Sequence, residues 1–370
     1  MVASSAPTRT RTTRRVSTGV LLLMVVAVLG VAFLCFVPGV NGEGVPNADA
    51  PKADDAFVVV GYLPEWRFGG TDWDATCASL THLLLFSMEV AKDAKLTATD
   101  RFPSPEAMVT LREAAAKHGT KLLLSLGGNA RTNGFPVVAV DKKLRRKLVR
   151  NLAYFCEIHG LHGVDYNWEY PANREEWEGL FALLKATKKE FGKRGLTVTM
   201  AYYPDGRQER ILAQAGVERH VDFVHSMAYD QPGRHSTDEL AATTLKNAKE
   251  AGLPYPAVTL GLPFYGRHTR TGDWKTYEDL AKEHPEVGVS GGGDEVAGYF
   301  FNGPDTIRRK VRMAKSSGVG GVMIWEVGQD FHPDDKRSLL QNIAQEVWPG
   351  GRRPKQVGGD DNGEKKKAEL

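Results

Sequence analysis

Cysteine is scarce in this 370-residue chain, which has three. Cys35 falls within an apolar run, leaving Cys77 and Cys156, which are expected as free, buried thiols. No pair of them has zinc-site spacing, and two isolated thiols do not build a disulfide scaffold. The Asn-x-Ser/Thr sequon is absent, so N-glycosylation is not expected. Surplus charge is absent too. Subtracting Arg9, Arg11, Arg14 and Arg15 of an acid-free N-terminal tail from the formal +3 leaves −1 for the rest of the chain. A near-neutral balance of that kind excludes the basic footprint of a nucleic-acid binder. Nothing in the sequence implies a metal or an organic cofactor.

Long uncharged runs are also rare, with one exception. Gly19 to Val40 is 22 residues without a charge, rich in Leu and Val, directly behind the arginine cluster. It meets the ~20-residue requirement for crossing a bilayer and exceeds the ~7–15 apolar residues of a cleaved signal. The expected organisation is a basic cytoplasmic tail (1–15), a transmembrane signal-anchor or signal peptide (16–40), a linker (41–56), a globular region (57–349) and a disordered tail (350–370). That places the globular region lumenal or extracellular, membrane-anchored, or secreted if the segment is cleaved. The chain ends Lys367-Ala368-Glu369-Leu370, a loose echo of an ER-retention tetrapeptide.

Within 57–349, short apolar runs recur at 57–62, 81–88, 121–126, 163–169, 196–203, 222–229, 257–262 and 320–326. Amphipathic stretches separate most of them. In 141–159, Asp141 is placed to cap a helix, Leu144, Leu148, Leu152 and Phe155 form one stripe, and Gly160 ends it. Eight strands alternating with helices predict an α/β (β/α)8 TIM barrel. A doubly wound sheet usually has a glycine-rich phosphate loop after its first strand, where this chain has Leu63-Pro64-Glu65-Trp66.

The stretch from His162 to Pro171 is the most informative. Side chains alternate along a strand, so Asp165, Asn167 and Glu169 share one face while Val164, Tyr166 and Trp168 share the other. Pro171 stops the ladder and places Glu169 at the strand's C-terminal end, where a barrel keeps its chemistry. Other groups gather at predicted strand ends: Ser125-Leu126-Gly127-Gly128, Met227-Ala228-Tyr229-Asp230, Gly261 to Arg267, and Trp325-Glu326. Each has a bland explanation alone; their joint placement on one rim does not.

These motifs resemble glycoside hydrolase family 18, the chitinase-like barrels. That family's fourth strand reads Asp-x-x-Asp-x-Asp-x-Glu followed by Tyr-Pro, its third ends Ser-x-Gly-Gly and its sixth Met-x-Tyr-Asp. The resemblance implies Glu169 as general acid/base, Tyr229 on the substrate's acetamido carbonyl, Asp230 positioning sugar and Glu169, and Trp325 beneath the sugar. Ser125 and Tyr62 would steady Asp165; Trp66, Met227, Tyr202 and Glu326 would line the substrate groove, with Tyr203, Tyr265 and Trp274 as further stacking candidates. The implied partner is chitin or another N-acetylglucosamine-containing oligosaccharide, taken by a monomer. About 55 residues separate strands seven and eight, too few for a large α+β insertion. None, or a minimal one, is expected, leaving an open cleft.

Spacing bears on mechanism. At ~3.3 Å per residue, Asp165 and Glu169 start ~13 Å apart, whereas paired carboxylates of ordinary glycosidases lie ~5 to 9.5 Å apart. Substrate assistance, in which the 2-acetamido oxygen attacks the anomeric carbon, removes the need for a second carboxylate. Two departures from the motif stand out: His162 replaces the first Asp and Asn167 the third. An amide still accepts the acetamido N–H but carries no charge, so a slowed hydrolase, or one favouring acidic pH, is expected. A membrane-tethered glycan-binding protein without activity and an endo-β-N-acetylglucosaminidase of N-glycan cores are the alternatives. His162, far from the rim, is read as structural.

Overall fold

The computed structural model describes residues 57–348 and 350–351. The expected tail, anchor and linker at 1–56, and nearly all of the expected C-terminal tail, lie outside the described residues. Among the described residues, no helix is long and apolar enough to cross a membrane.

Eight parallel strands close on themselves: β1 (Val58–Pro64), β2 (His82–Val90), β3 (Lys121–Gly127), β4 (Gly163–Asn167), β5 (Thr197–Tyr202), β6 (Phe223–Ser226), β7 (Val258–Pro263) and β8 (Gly321–Trp325). Closure is explicit, because β1 pairs in parallel with both β2 and β8. Each strand is buried on both faces, which is why the sequence reads as apolar runs. Helices α1 (Trp73–Ala78), α2 (Pro105–His118), α3 (Lys142–His159), α4 (Arg174–Phe191), α5 (Arg207–Ala215), α6 (Asp238–Ala251), α7 (Pro304–Ser317) and α8 (Leu339–Val347) form the outer layer.

Local chemistry sets the boundaries. Asp141 accepts from the backbone N–H groups of Lys143 and Leu144 at the start of α3, and Gly160 ends that helix at φ 64°. Leu148 and Leu152 point into the core; Leu144 and Phe155 pack at its edge. Two apolar layers result. Val59, Leu63, Val164, Tyr166, Trp168, Val198 and Tyr202 join the thick layer between sheet and helices. Val58, Val60, Tyr62, Leu84, Phe86, Leu123, Ala201 and Met323 fill the barrel and its upper mouth. Cys77 and Cys156 are free and buried, and burial pushes both thiols up to about 12.

The expected minimal insertion is present. Four strands of two to four residues (Tyr265–His268, Trp274–Thr276, Glu295–Val296, Tyr299–Phe300) form an antiparallel sheet beside the helix Tyr277–Glu283. Such short strands carry too little periodicity to stand out in sequence. His162 lies below β4, where its Nδ1 accepts from the Leu122 backbone N–H at 3.0 Å, a structural contact.

Candidate active site

The alternation expected for β4 sorts the acids. Asp165 points into the barrel, with Ser125 of β3 and Thr199 of β5 in register on either side. Its Oδ2 accepts from Tyr62 Oη at 2.8 Å and Ser125 Oγ at 3.0 Å, and its Oδ1 from Thr199 Oγ1 at 2.7 Å. Complete burial pushes its carboxyl up to about 6, opposed by those three hydroxyls. His225 lies beside it, Nε2 to Oδ1 4.0 Å, and burial drives the imidazole down to about 3, so it is neutral at working pH. Asp165 therefore stands below the cleft as a support.

Asn167 ends β4, and Trp168 and Glu169 carry the chain out over the rim. The strand stops here because Gly127 and Gly128 turn away at φ 93° and 102°, with Gly128 N–H donating to the Asn167 carbonyl at 2.7 Å. A Cβ on Gly128 would come within 2.3 Å of the Phe86 ring, so the turn needs glycine. Three non-proline cis peptides occur around this mouth: Phe86–Ser87 within β2, Glu169–Tyr170 just past β4 and Trp325–Glu326 at the end of β8.

The cleft, a cavity of about 290 Å³, is lined by Tyr62, Trp66, Asn167, Glu169, Met227, Tyr229, Asp230 and Trp325, all expected from sequence. Burial raises the Glu169 carboxyl to about 7; the Asn167 side chain and the Asn129 backbone N–H oppose the rise, and the nearby Asp230 charge adds to it. Burial thus supplies the proton-holding environment that a carboxylate at position 167 would otherwise reinforce. The Asn167 side chain lies beside Glu169, and its Oδ1 is buried without a hydrogen-bond partner among the described residues. An orphaned acceptor beneath a cleft is a place for a ligand N–H. Tyr229 Oη donates to the Met323 sulfur at 3.8 Å, a weak partner that a better acceptor can displace. Asp230, at φ 67°, accepts from Tyr265 Oη at 2.7 Å and Arg267 Nη1 at 3.0 Å. Trp325 packs edge-on against Phe86, centroids 4.7 Å apart, at the mouth of the barrel.

Two expected groove residues lie elsewhere. Thr199, bonded to Asp165, sets the parity of β5: Ala201 faces the cleft, and Tyr202 turns outward to the helices at 0% exposure. Glu326 is 1% exposed and serves the rim's architecture, accepting from Arg67 Nε at 3.0 Å and the Gly328 N–H at 2.8 Å. Ser125 holds Asp165 as expected, without lining the cleft. Of the further aromatic candidates, Tyr265 is committed to Asp230, Trp274 is 63% exposed on the insertion, and Tyr203 packs at the cleft's edge. Sequence reasoning missed Phe86, Asn129, Arg131, Ala201 and Met323 of the lining, and Thr199 beneath it. Strand parity could have found Thr199, Phe86, Ala201 and Met323, which lie on barrel strands; Asn129 and Arg131 depend on the packing of the loop after β3.

Residues 58–330 match the family described as Glycosyl hydrolases family 18. The chain belongs to this family. This family 18 hydrolase is 23% identical over 373 residues to Chitinase 1 of Aphanocladium album, covering 81% of this chain and 87% of that protein. It is 25% identical over 274 residues to Endochitinase 1 of Metarhizium robertsii, covering 60% of this chain and 64% of that one. Among solved structures, a family 18 chitinase from the chitin utilization locus of Flavobacterium johnsoniae superposes with a TM-score of 0.68 at 26% identity, covering 79% of this chain and 94% of that one. A chitinase from Bacteroides thetaiotaomicron shares the fold, with a TM-score of 0.68 at 24% identity over 80% and 98% of the two chains. The chain is a chitinase-like glycoside hydrolase.

Proposed function

We propose that this hydrolase cleaves β-1,4 bonds of N-acetylglucosamine-containing glycans, chitin above all, by a substrate-assisted retaining mechanism. The observation that carries the reading is the unequal state of the carboxylates around the cleft. Asp165 is sealed beneath it on three hydroxyls, and Asp230 is held by Tyr265 and Arg267. Of the three, only Glu169 lines the cleft without a hydroxyl or guanidinium bonded to it, and burial raises its carboxyl to about 7. An acid without a free carboxylate nucleophile suits a substrate that carries its own.

In this scheme a sugar rests on Trp325, and Glu169 gives its proton to the glycosidic oxygen as the C1–O bond breaks. The 2-acetamido carbonyl oxygen bonds to C1, forming an oxazoline-type ring. Asn167 Oδ1 accepts the acetamido N–H and Tyr229 Oη donates to the acetamido oxygen, which keeps the group aimed at C1. Glu169, now ionised, takes a proton from water as the water opens the ring, so configuration is retained. The relatives' names, Chitinase 1 and Endochitinase 1, favour chitin. The small insertion leaves the cleft open enough for the N-glycan chitobiose core as well. The proposed setting is a monomer, lumenal or extracellular, held by the apolar segment at 16–40 or secreted after its cleavage.

Product analysis on chitin oligomers and a glycopeptide in parallel, with wild type and Glu169→Gln, tests the reading. Glu169-dependent release of β-anomeric products from chitin oligomers is expected. Tight oligosaccharide binding with no Glu169-dependent release would make the protein a glycan-binding relative instead. Cleavage of the glycopeptide alone would move the substrate to N-glycan cores.

A further inference from the structure

Arg131 belongs to no motif used so far, yet its guanidinium lines the cleft. Its Nη2 donates to Glu65 Oε1 at 2.9 Å, and its Nη1 to Glu65 Oε2 at 3.3 Å and Ser87 Oγ at 3.1 Å. The same guanidinium carbon stands 5.6 Å from the Trp66 ring centroid and 5.3 Å from that of Phe86, within cation–π range of both. Three rim segments meet on this one side chain: the turn after β1 bearing Glu65 and Trp66, the Phe86–Ser87 step of β2, and the loop after β3. Ser87 is itself fixed, donating to the Gly127 carbonyl at 2.7 Å.

Trp66 is the residue this arrangement serves. It is 56% exposed, a costly state for an indole unless something else covers it. Its ring meets the Phe86 ring edge-on at 6.4 Å, and Phe86 in turn packs at 4.7 Å on Trp325. Trp66 thus stands beyond the reactive-sugar floor, one ring removed, as a second platform whose orientation depends on what grips its turn. The paired Arg131–Glu65 charges are neutral together, so the clamp adds rigidity to the wall without a net field.

We infer that Arg131 is a positioning residue: by clamping the Glu65–Trp66 turn to β2 it fixes Trp66, one ring removed from Trp325, as the binding platform for a sugar outside a disaccharide bound at the reactive position, and so makes affinity rise beyond the disaccharide. This inference rests on the proposed N-acetylglucosamine-oligomer substrate. Arg131→Gln should let the Trp66 turn move while leaving Glu65 partnered, because Arg101 Nε remains 3.7 Å from it.

The test is calorimetric binding of chitin disaccharide and tetrasaccharide to full-length Glu169→Gln protein, with and without Arg131→Gln. The tetrasaccharide should lose about tenfold in affinity and the disaccharide less than about threefold, as expected for one loosened aromatic platform. Trp66→Ala should produce the same length-dependent loss, and adding Arg131→Gln to it should change little further, since both act through one ring. Arg131→Lys keeps the charge but not the fork and should rescue only part of the loss. Equal losses on both ligands, or full additivity with Trp66→Ala, would overturn the positioning role. If neither ligand binds the parent protein, the substrate reading fails instead.

Discussion

Two carboxyl groups leave the same face of β4 four residues apart and meet opposite surroundings. Asp165 lies in the barrel's interior, completely buried, with every oxygen answered by a hydroxyl. Glu169 lies at the mouth with a few weak partners, next to an amide oxygen that has none. Burial raises both, one to about 6 and the other to about 7. Desolvation alone therefore does not make a catalytic acid. What separates the two is satisfaction: the interior has used up its hydrogen-bonding capacity, whereas the rim has kept some for a ligand.

The largest expected effect comes from removing the group whose proton is mobile. Glu169→Gln should reduce turnover on a chitooligosaccharide by about 10³-fold or more, the scale of a lost general acid, with binding retained. The free enzyme should be active with Glu169 protonated, so kcat/KM should fall as pH rises through about 7. The same shift has a stability consequence. Because Glu169 holds its proton more tightly folded than unfolded, stability is full below about pH 4.5 and declines towards pH 7. A thermal-melt series across that window should be flatter for Glu169→Gln; an unchanged slope would mean that other groups dominate.

Breaking the interior should be costly to the fold first and to activity second. Asp165→Ala strips the acceptor from three buried hydroxyls and should destabilise by about 2–4 kcal/mol, read as a lower denaturant midpoint. Loss of the midpoint without any loss of activity in the folded fraction would show that Asp165 supports the barrel alone. A smaller effect should sharpen the contrast at the rim. Asn167→Asp restores a charge beside the acetamide and Glu169, so turnover at neutral pH should rise several-fold, about the gain of a charge-assisted over a neutral hydrogen bond. The alkaline limb should also move upward, because a like charge raises the Glu169 pKa. A flat or reduced rate would mean that the amide oxygen alone orients the acetamide as well as a carboxylate does.

The barrel was legible because both faces of its strands are apolar and its helices carry stripes and caps. The acid strand was legible because period-two alternation is independent of context. Loop chemistry was less so. Arg131 and Arg67 acquire meaning from Glu65 and Glu326, and the second of these partners is 259 positions away in the chain. Glu326 shows the same limit in reverse: a charged residue at a strand's C-terminal end looks like substrate machinery until an arginine from another loop is found on it. In sequence Asn167 looks like a deficit in the site; in the fold, burial is the largest cause of the raised Glu169 pKa, which leaves the amide, in the proposed scheme, to orient the substrate.

Tyr202 marks the opposite case, where a one-residue shift in parity changed the inference. On an isolated strand, Ala201-Tyr202-Tyr203 offers the aromatic ring as the natural sugar contact. The register with β4 fixes Thr199 inward on Asp165, which turns Tyr202 to the helices and gives Ala201 to the cleft. The Tyr202 hydroxyl is buried beside the Ser226 side chain, a weak neighbour, and makes no hydrogen bond of good geometry among the described residues. Removing it should cost nothing in catalysis and little in stability, because deleting a poorly paired buried polar atom relieves its desolvation penalty while the ring keeps its packing. Tyr202→Phe is therefore expected to match wild type in kcat and KM and to melt at the same temperature or slightly higher. A selective rise in KM would mean that the ring reaches substrate after all, and the assignment of faces on β5 would have to be reversed.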